Sequence, residues 1–228
     1  MIPQAIIVVT AALTLKSDTS PVTVKVNKPR GTIYWGGAGL NGGYISDQIV
    51  ALQEVGIKDV FSGTRTYTQY VDAFRSGTTL RYKNNLDSED WTIHGMEKIQ
   101  SPQFNMIGYS YGSLLAAHTA LFYAENGHIV DHLILVASPI DGDFLADLKK
   151  HPNIKSVVVK DIPEYGDPLF AGMSQVQLIS SALKLYRQMS STEATGEGVG
   201  HFYYASATSE GARRRRNLAA FIYRQGVR

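Results

Sequence analysis

The stretch Phe104-Asn105-Met106-Ile107-Gly108-Tyr109-Ser110-Tyr111-Gly112 decides the fold. Its first four residues have the length and composition of a short buried strand. Beyond it, Leu114, Leu115, His118, Leu121 and Phe122 recur at helical spacing until Asn126-Gly127 supplies a stop. A G-x-S-x-G between a strand and a helix is the pattern of a nucleophile elbow. The reason is steric. So tight a turn strains the serine backbone, and the flanking glycines keep side chains out of the crowded corner. The Ser110 hydroxyl is then expected to stand clear of the sheet, at the start of a helix whose N–H groups can stabilise a developing oxyanion.

Outward from this centre the chain alternates strands with helices. Thr32-Ile33-Tyr34-Trp35 reads as a strand that ends in the glycine-rich run 36–43. Ile49, Val50 and Leu52 predict a helix over about 45–55, closed by Gly56, and Lys58-Asp59-Val60-Phe61 a short strand. His132–Ala137 and Ser156–Lys160 are two more strands. Such alternation predicts an α/β fold with a mainly parallel sheet covered on both faces. Upstream, segments 12–15 and 22–26 around the turn at 17–21 predict an antiparallel hairpin. Residues 5–13 are expected to form a first strand, being too short to span a bilayer and preceded by no Lys or Arg of a signal peptide. Residues 62–103 are the least regular part. One domain over 1–228 is expected, with lid segments at 62–103 and 168–200.

Composition narrows the chemistry. Of 228 residues 44% are hydrophobic and 18% charged, with a net charge of +2, so nothing points to a nucleic-acid partner. The chain has no cysteine, which excludes disulfides, thiolate metal sites and a cysteine nucleophile, but does not assign a compartment.

The glycine run Gly36-Gly37-Ala38-Gly39-Leu40-Asn41-Gly42-Gly43 lacks both common phosphate-loop spacings. It suits a loop whose backbone must approach a substrate, and an oxyanion hole is expected from the N–H of Tyr111 with that of Gly37 or Ala38. A serine hydroxyl needs a base, and the base an orienting group. On this elbow both follow the serine in the chain. His94 precedes it. His118 lies within the following helix, His128 and His132 lie at the wrong end of a strand, and His151 lies in a turn before Pro152. His201, in the loop Gly198-Val199-Gly200-His201-Phe202-Tyr203-Tyr204, is the expected base. For the acid there are two aspartates, with Glu164 also nearby. Asp167 sits in the rigid turn Gly166-Asp167-Pro168 and is preferred, while Asp161 directly ends the 156–160 strand.

Gly108-Tyr109-Ser110-Tyr111-Gly112, Gly166-Asp167-Pro168 and Gly200-His201-Phe202-Tyr203-Tyr204, in that order, resemble the α/β-hydrolase superfamily, especially its lipase- and esterase-type members. The resemblance implies a serine hydrolase acting on carboxylic esters through an acyl-enzyme, with no metal or cofactor. There are two departures. The loop at 36–39 carries no histidine, and no strand is evident between Asp167 and His201, where this fold usually has its last one.

Substrate class is expected from the surroundings. Met173, Val176, Ile179, Leu183, Tyr186 and Met189 fall near one helical face, either packed on the sheet or walling an acyl pocket, with 190–198 as a hinge. Tyr67, Tyr70, Phe74, Tyr82 and Trp91 offer a second wall. Lipid or phospholipid esters are therefore favoured over short soluble ones. Arg213-Arg214-Arg215-Arg216 spreads its charges around a helix, so at least one is expected to meet a buried partner, and the rest read as a solvated surface, or alternatively as a peripheral contact with an anionic membrane. A thioesterase or acyltransferase with the same triad, and a non-catalytic binding module, are the rival readings.

Overall fold

A computed structural model describes residues 24–25, 30–37, 42–63, 91–92 and 99–228. Apolar runs without alternation become strands buried on both faces, which only helices on each side can cover. Gly31–Trp35 (β2) and Phe104–Tyr109 (β5) are buried at every position. With Val60–Ser62 (β3), His132–Val136 (β6) and Val157–Lys160 (β7) they form a five-stranded sheet in the order β3-β2-β5-β6-β7, parallel throughout. The register sets Trp35 against Gly108 and Tyr109 against Val136.

Successive strand residues feed opposite layers, as the two-residue period of a strand requires. Ile33, Trp35, Phe104, Met106, Leu133 and Leu135 face helices Tyr111–Glu125 (α2) and Gly142–Lys150 (α3). Tyr34, Ile107, Tyr109, Ile134 and Val136 face Tyr44–Glu54 (α1) and the final helix, Ser209–Arg224. Helix α2 is apolar almost all round, since it lies buried against β5, β6 and β2. Asp141 caps α3 by accepting from the Phe144 N–H, and Lys149 and Lys150 complement the dipole at its last turn.

From β2 the chain steps outward to β3, and from β5 it steps the other way through β6 to β7. The carboxyl ends of β2 and β5 therefore flank the point where the strand order reverses, the usual crevice for ligands in open parallel sheets.

Several expectations need amendment. The expected strand at 22–26 survives as Val24–Lys25 (β1), which pairs in parallel with Trp91–Thr92 (β4). The other arm of the antiparallel hairpin, the 5–13 strand and most of the 62–103 segment lie outside the described residues. The 168–200 segment is dominated by helix Gln175–Thr195 (α4), which begins with a Ser174/Gln177 capping box and ends at Gly196 in the left-handed conformation. The expected hinge at 190–198 is thus helical as far as Thr195. Nor does the apolar stripe of α4 pack on the sheet. Leu178 joins Leu169 and Met173 in a small cluster, but Val176 and Leu183 are 76% and 51% exposed. The helix docks on the turn at Gly200–Phe202, so its periodicity has no sheet to answer to. No helix among the described residues is long and apolar enough to cross a membrane.

A Cβ on Gly112 would stand 2.0 Å from the Gly36 carbonyl oxygen and 2.4 Å from that of Trp35. Both are backbone atoms that cannot step aside. Gly112→Ala is expected to lower stability by about 2 kcal/mol or more, whereas Gly43→Ala, with nothing within 4 Å, should stay within about 0.5 kcal/mol, as read by urea denaturation.

Candidate active site

Ser110 sits between β5 and α2 with φ 56° and ψ −126°, and with Ala137 it is one of two described non-glycine residues at positive φ. Such a conformation costs about 1–3 kcal/mol and persists only where neighbours over-determine it. Here they do. Ser110 N–H donates to the Val136 carbonyl at 2.9 Å, extending the β5–β6 ladder one residue past the strand. Ser110 C=O accepts from Ser113 N–H at 3.0 Å, starting α2. A Cβ on Gly108 would fall 2.3 Å from Ser113 Cα, so the two elbow glycines admit the helix and the β2 terminus respectively.

Ser110 Oγ lies 2.6 Å from His201 Nε2, and His201 Nδ1 lies 2.9 and 3.0 Å from the Asp167 carboxylate oxygens. The acceptor-only carboxylate fixes the proton on Nδ1, leaving the Nε2 lone pair to take the serine O–H. The imidazole is 5% exposed and the Asp167 side chain fully covered. Asp167 Oδ1 also accepts from Leu169 N–H at 2.8 Å, which seats the acid in the turn that the proline rigidifies. Ser110, His201 and Asp167, read from distant parts of the sequence, come together in one hydrogen-bonded series. Asp161 does not join it. Its Oδ1 accepts from Ala171 N–H at 3.0 Å, and burial raises its carboxyl above the ordinary range.

The other histidines lie elsewhere. His118 is buried against Phe144, His132 starts β6 with its basicity lowered by burial, and His151 Nδ1 accepts from Asn153 N–H. His128 meets the Tyr123 ring edge-on, and His94 is outside the described residues.

The backbone of His201 is held on both sides by residues without a sequence signal. Its N–H donates to Gln188 Oε1 at 3.0 Å, and its carbonyl accepts from the Tyr109 hydroxyl. Burial, then the neighbouring Tyr44, pushes the Tyr109 phenol well above its usual range, so it remains a donor. Gln188 Nε2 in turn donates to the Gly166 carbonyl at 2.9 Å, tying the acid turn to the base loop through one side chain of α4. Gly200, at φ 57°, is required because a Cβ there would strike that amide at 2.0 Å.

The arginine run in the final helix (α5) holds the same loop from below. Arg214 donates to the carbonyls of Gly198 and Tyr203 and stacks 4.1 Å over the Tyr203 ring. Arg215, 3% exposed, donates to Tyr204 and Ser206 carbonyls and to Asp47 of α1. Arg213 and Arg216 pair with Glu210 and Glu54, and Arg213 beside it holds the Glu210 carboxyl down at about 2. The expected solvated surface is therefore, in two of four positions, a backbone clamp.

Of the expected oxyanion donors, Tyr111 opens α2, and Gly37 lies at the β2 terminus, where an added Cβ would sit 3.5 Å from Ser110 Cβ. The Gly37 N–H donates to Tyr44 Oη at 2.6 Å. Ala38 is outside the described residues. A cavity of about 600 Å³ opens between the start of α1, the last turns of α4 and the start of α5, walled by Tyr44, Met189, Thr192, Glu193, Phe202 and Thr208 among others; none of Ser110, His201 and Asp167 lines it. No cluster of histidine and carboxylate side chains among the described residues is placed to hold a metal ion.

Asp167→Asn is expected to slow phosphonylation of Ser110 by a fluorophosphonate by about three to four orders of magnitude, and Asp161→Asn to leave that rate within a few-fold. Because the folded protein raises the Asp161 carboxyl, its ionisation removes stability as pH rises from the ordinary aspartate value through the folded one. Asp161→Asn should thus melt at or above the wild-type temperature at pH 7, with the difference closing below about pH 4. Gln188→Met, which removes both ties at similar volume, should slow labelling roughly 10–100-fold in a protein that remains folded by circular dichroism.

The chain matches no family model, no curated protein and no solved structure.

Proposed function

We propose that this protein is a serine hydrolase of α/β-hydrolase type that cleaves carboxylic esters. The observation that carries the reading is the Ser110–His201–Asp167 series, with 2.6 and 2.9 Å contacts, mounted on a strained elbow at the carboxyl end of the central strand. A buried imidazole with its far nitrogen on a carboxylate and its near nitrogen on a serine hydroxyl has no better structural use: a buried polar series of this kind is costly to assemble and apolar packing would be cheaper. The order of elements agrees: nucleophile after the central strand, acid after β7, base on a later loop. Where an α/β-hydrolase usually has a further strand, this chain has α4, which supplies Gln188 to both partner loops.

The reaction follows from the geometry. Ser110 Oγ attacks the ester carbonyl carbon while its proton passes to His201 Nε2, and Asp167 stabilises the resulting imidazolium. The carbonyl electrons collect on oxygen, which faces the start of α2. His201 gives the proton to the departing alcohol, leaving an acyl-serine. Water then repeats the sequence with the base and acid roles reversed, and the carboxylic acid leaves.

Lipid or phospholipid esters are the proposed substrates. The support is the apolar side chains near this end of the molecule: Tyr44, Met189 and Phe202 line the cavity together with Glu193, Thr192 and Thr208, and elsewhere on α4 Val176, Leu183 and Tyr186 are exposed. A contact of the arginine run with anionic headgroups is not part of the proposal, since its guanidinium groups have intramolecular partners.

Incubation of the intact protein with a fluorophosphonate should add one phosphonyl mass on Ser110, absent in Ser110→Ala, and esters of graded chain length should then turn over. An unlabelled wild-type protein overturns the hydrolase reading in favour of a binding module on the same fold.

A further inference from the structure

We propose that Tyr165 is a positioning residue for the Asp167–His201 contact, acting through an aromatic clasp that it closes with Tyr203. This inference rests on the serine-hydrolase reading and names a tie that neither the elbow nor the triad assigns.

Asp167 and His201 are 34 residues apart in the chain, and neither lies on a strand. The loop of each carries a tyrosine ring at the same short offset. Tyr165 ends the helical turn Pro163–Tyr165, two residues before the acid, and Tyr203 caps the turn Gly200–Phe202, two residues after the base. Both turns are closed by their own backbone. Gly166 N–H donates to the Pro163 carbonyl at 2.9 Å, and Tyr203 N–H donates to that of Gly200 at 3.1 Å. A ring fixed to so short a turn carries the turn with it.

The two rings stack with centroids 3.7 Å apart and planes 8° from parallel. Two tyrosines alone disfavour so direct an overlap, because the negative faces of their π systems oppose each other. Here the opposition is relieved from the far side. The Arg214 guanidinium carbon stands 4.1 Å from the centre of the Tyr203 ring, and with Tyr165 against one face it can occupy only the other. Tyr203 is thus held between a cation and a second ring, and the cation draws electron density from the face that meets Tyr165. Arg214 is itself anchored by its bonds to the Gly198 and Tyr203 carbonyls. Burial, then the neighbouring Tyr165 hydroxyl, pushes the Tyr203 phenol up to about 12, so this ring stays uncharged at neutral pH.

Position decides what the stack can do. Tyr165 is 43% exposed and adds little to the core, yet its ring reaches across to the base loop. Gln188 links the same two loops through their backbone, at Gly166 and at His201. One link would leave the loops free to pivot about it. Two links at different residues fix the separation of carboxylate and imidazole, here 2.9 Å.

The test compares Tyr165→Ala, which removes the clasp, with Tyr165→Phe, which keeps it. Phosphonylation of Ser110 by a fluorophosphonate should slow about 10–100-fold in Tyr165→Ala and stay within about threefold of wild type in Tyr165→Phe. In an Asp167→Asn background the alanine substitution should cost less than about threefold, because the contact that it sets is already lost. A merely structural defect would instead multiply with Asp167→Asn. Proton NMR reads the contact separately, since a His201 Nδ1–H held on Asp167 gives a low-field resonance. That signal should persist in Tyr165→Phe and broaden or vanish in Tyr165→Ala. If wild type labels, the inference is overturned by a Tyr165→Ala that labels as fast as wild type or faster, by an equal loss in both backgrounds, by a Tyr165→Phe as slow as Tyr165→Ala, or by a signal unchanged in Tyr165→Ala; the hydrolase reading then stands. If wild type does not label, the hydrolase reading is overturned and the resonance alone decides the clasp. Its loss in Tyr165→Ala supports the clasp, whereas its persistence there, or its absence from wild type, overturns it.

Discussion

The whole arrangement depends on how closely three pieces of backbone approach at one corner. The β5 terminus, the first turn of α2 and the β2 terminus meet at separations that exclude even a methyl group on Gly108 or Gly112. That crowding drives Ser110 into its unfavourable dihedrals, and the cost is offset by the ladder bond to Val136 and the first turn bond to Ser113. It also brings Gly37 close to the serine, where a Cβ would stand 3.5 Å from Ser110 Cβ.

The other half of the centre is arranged on the opposite principle. His201 and Asp167 lie on loops, and no ladder holds them. Side chains from three separate elements grip their main chain: Tyr109 from β5, Gln188 from α4, and Arg214 and Arg215 from α5. Hydrogen bonds to charged donors contribute more than neutral ones, about 1.5–3 kcal/mol each, so the two guanidinium groups carry the larger share of this hold. The Arg215–Asp47 pair is secondary for stability. Its lasting effect is positional, because a buried guanidinium left without partners is costly and Arg215 therefore fixes the spacing between α5, α1 and the loop at 204–206.

The centre of the sheet was legible because its signals are local. Uninterrupted apolar runs gave β2, β5, β6 and β7 to within one or two residues, and the elbow glycines state a steric demand that few other folds make. His201 was singled out by the order of histidines along the chain and Asp167 by its Gly-Asp-Pro turn, and the structure sets the two within hydrogen-bonding distance. What sequence could not deliver were contacts made at long range. Gln188 is a polar residue on a helix whose apolar spacing misled, since Val176 and Leu183 face solvent. Helix geometry sends at least one of four adjacent arginines inward, but which one, Arg215, depends on the packing of the final helix.

Helix α4 buries only Leu178 and Gln188 along its 21 residues, and one of those two is the strut between acid and base. Elements with little covered surface open at a lower free energy than the core around them. The geometry of the Ser110–His201–Asp167 series is therefore tied to a surface helix and not to the five parallel strands beneath it.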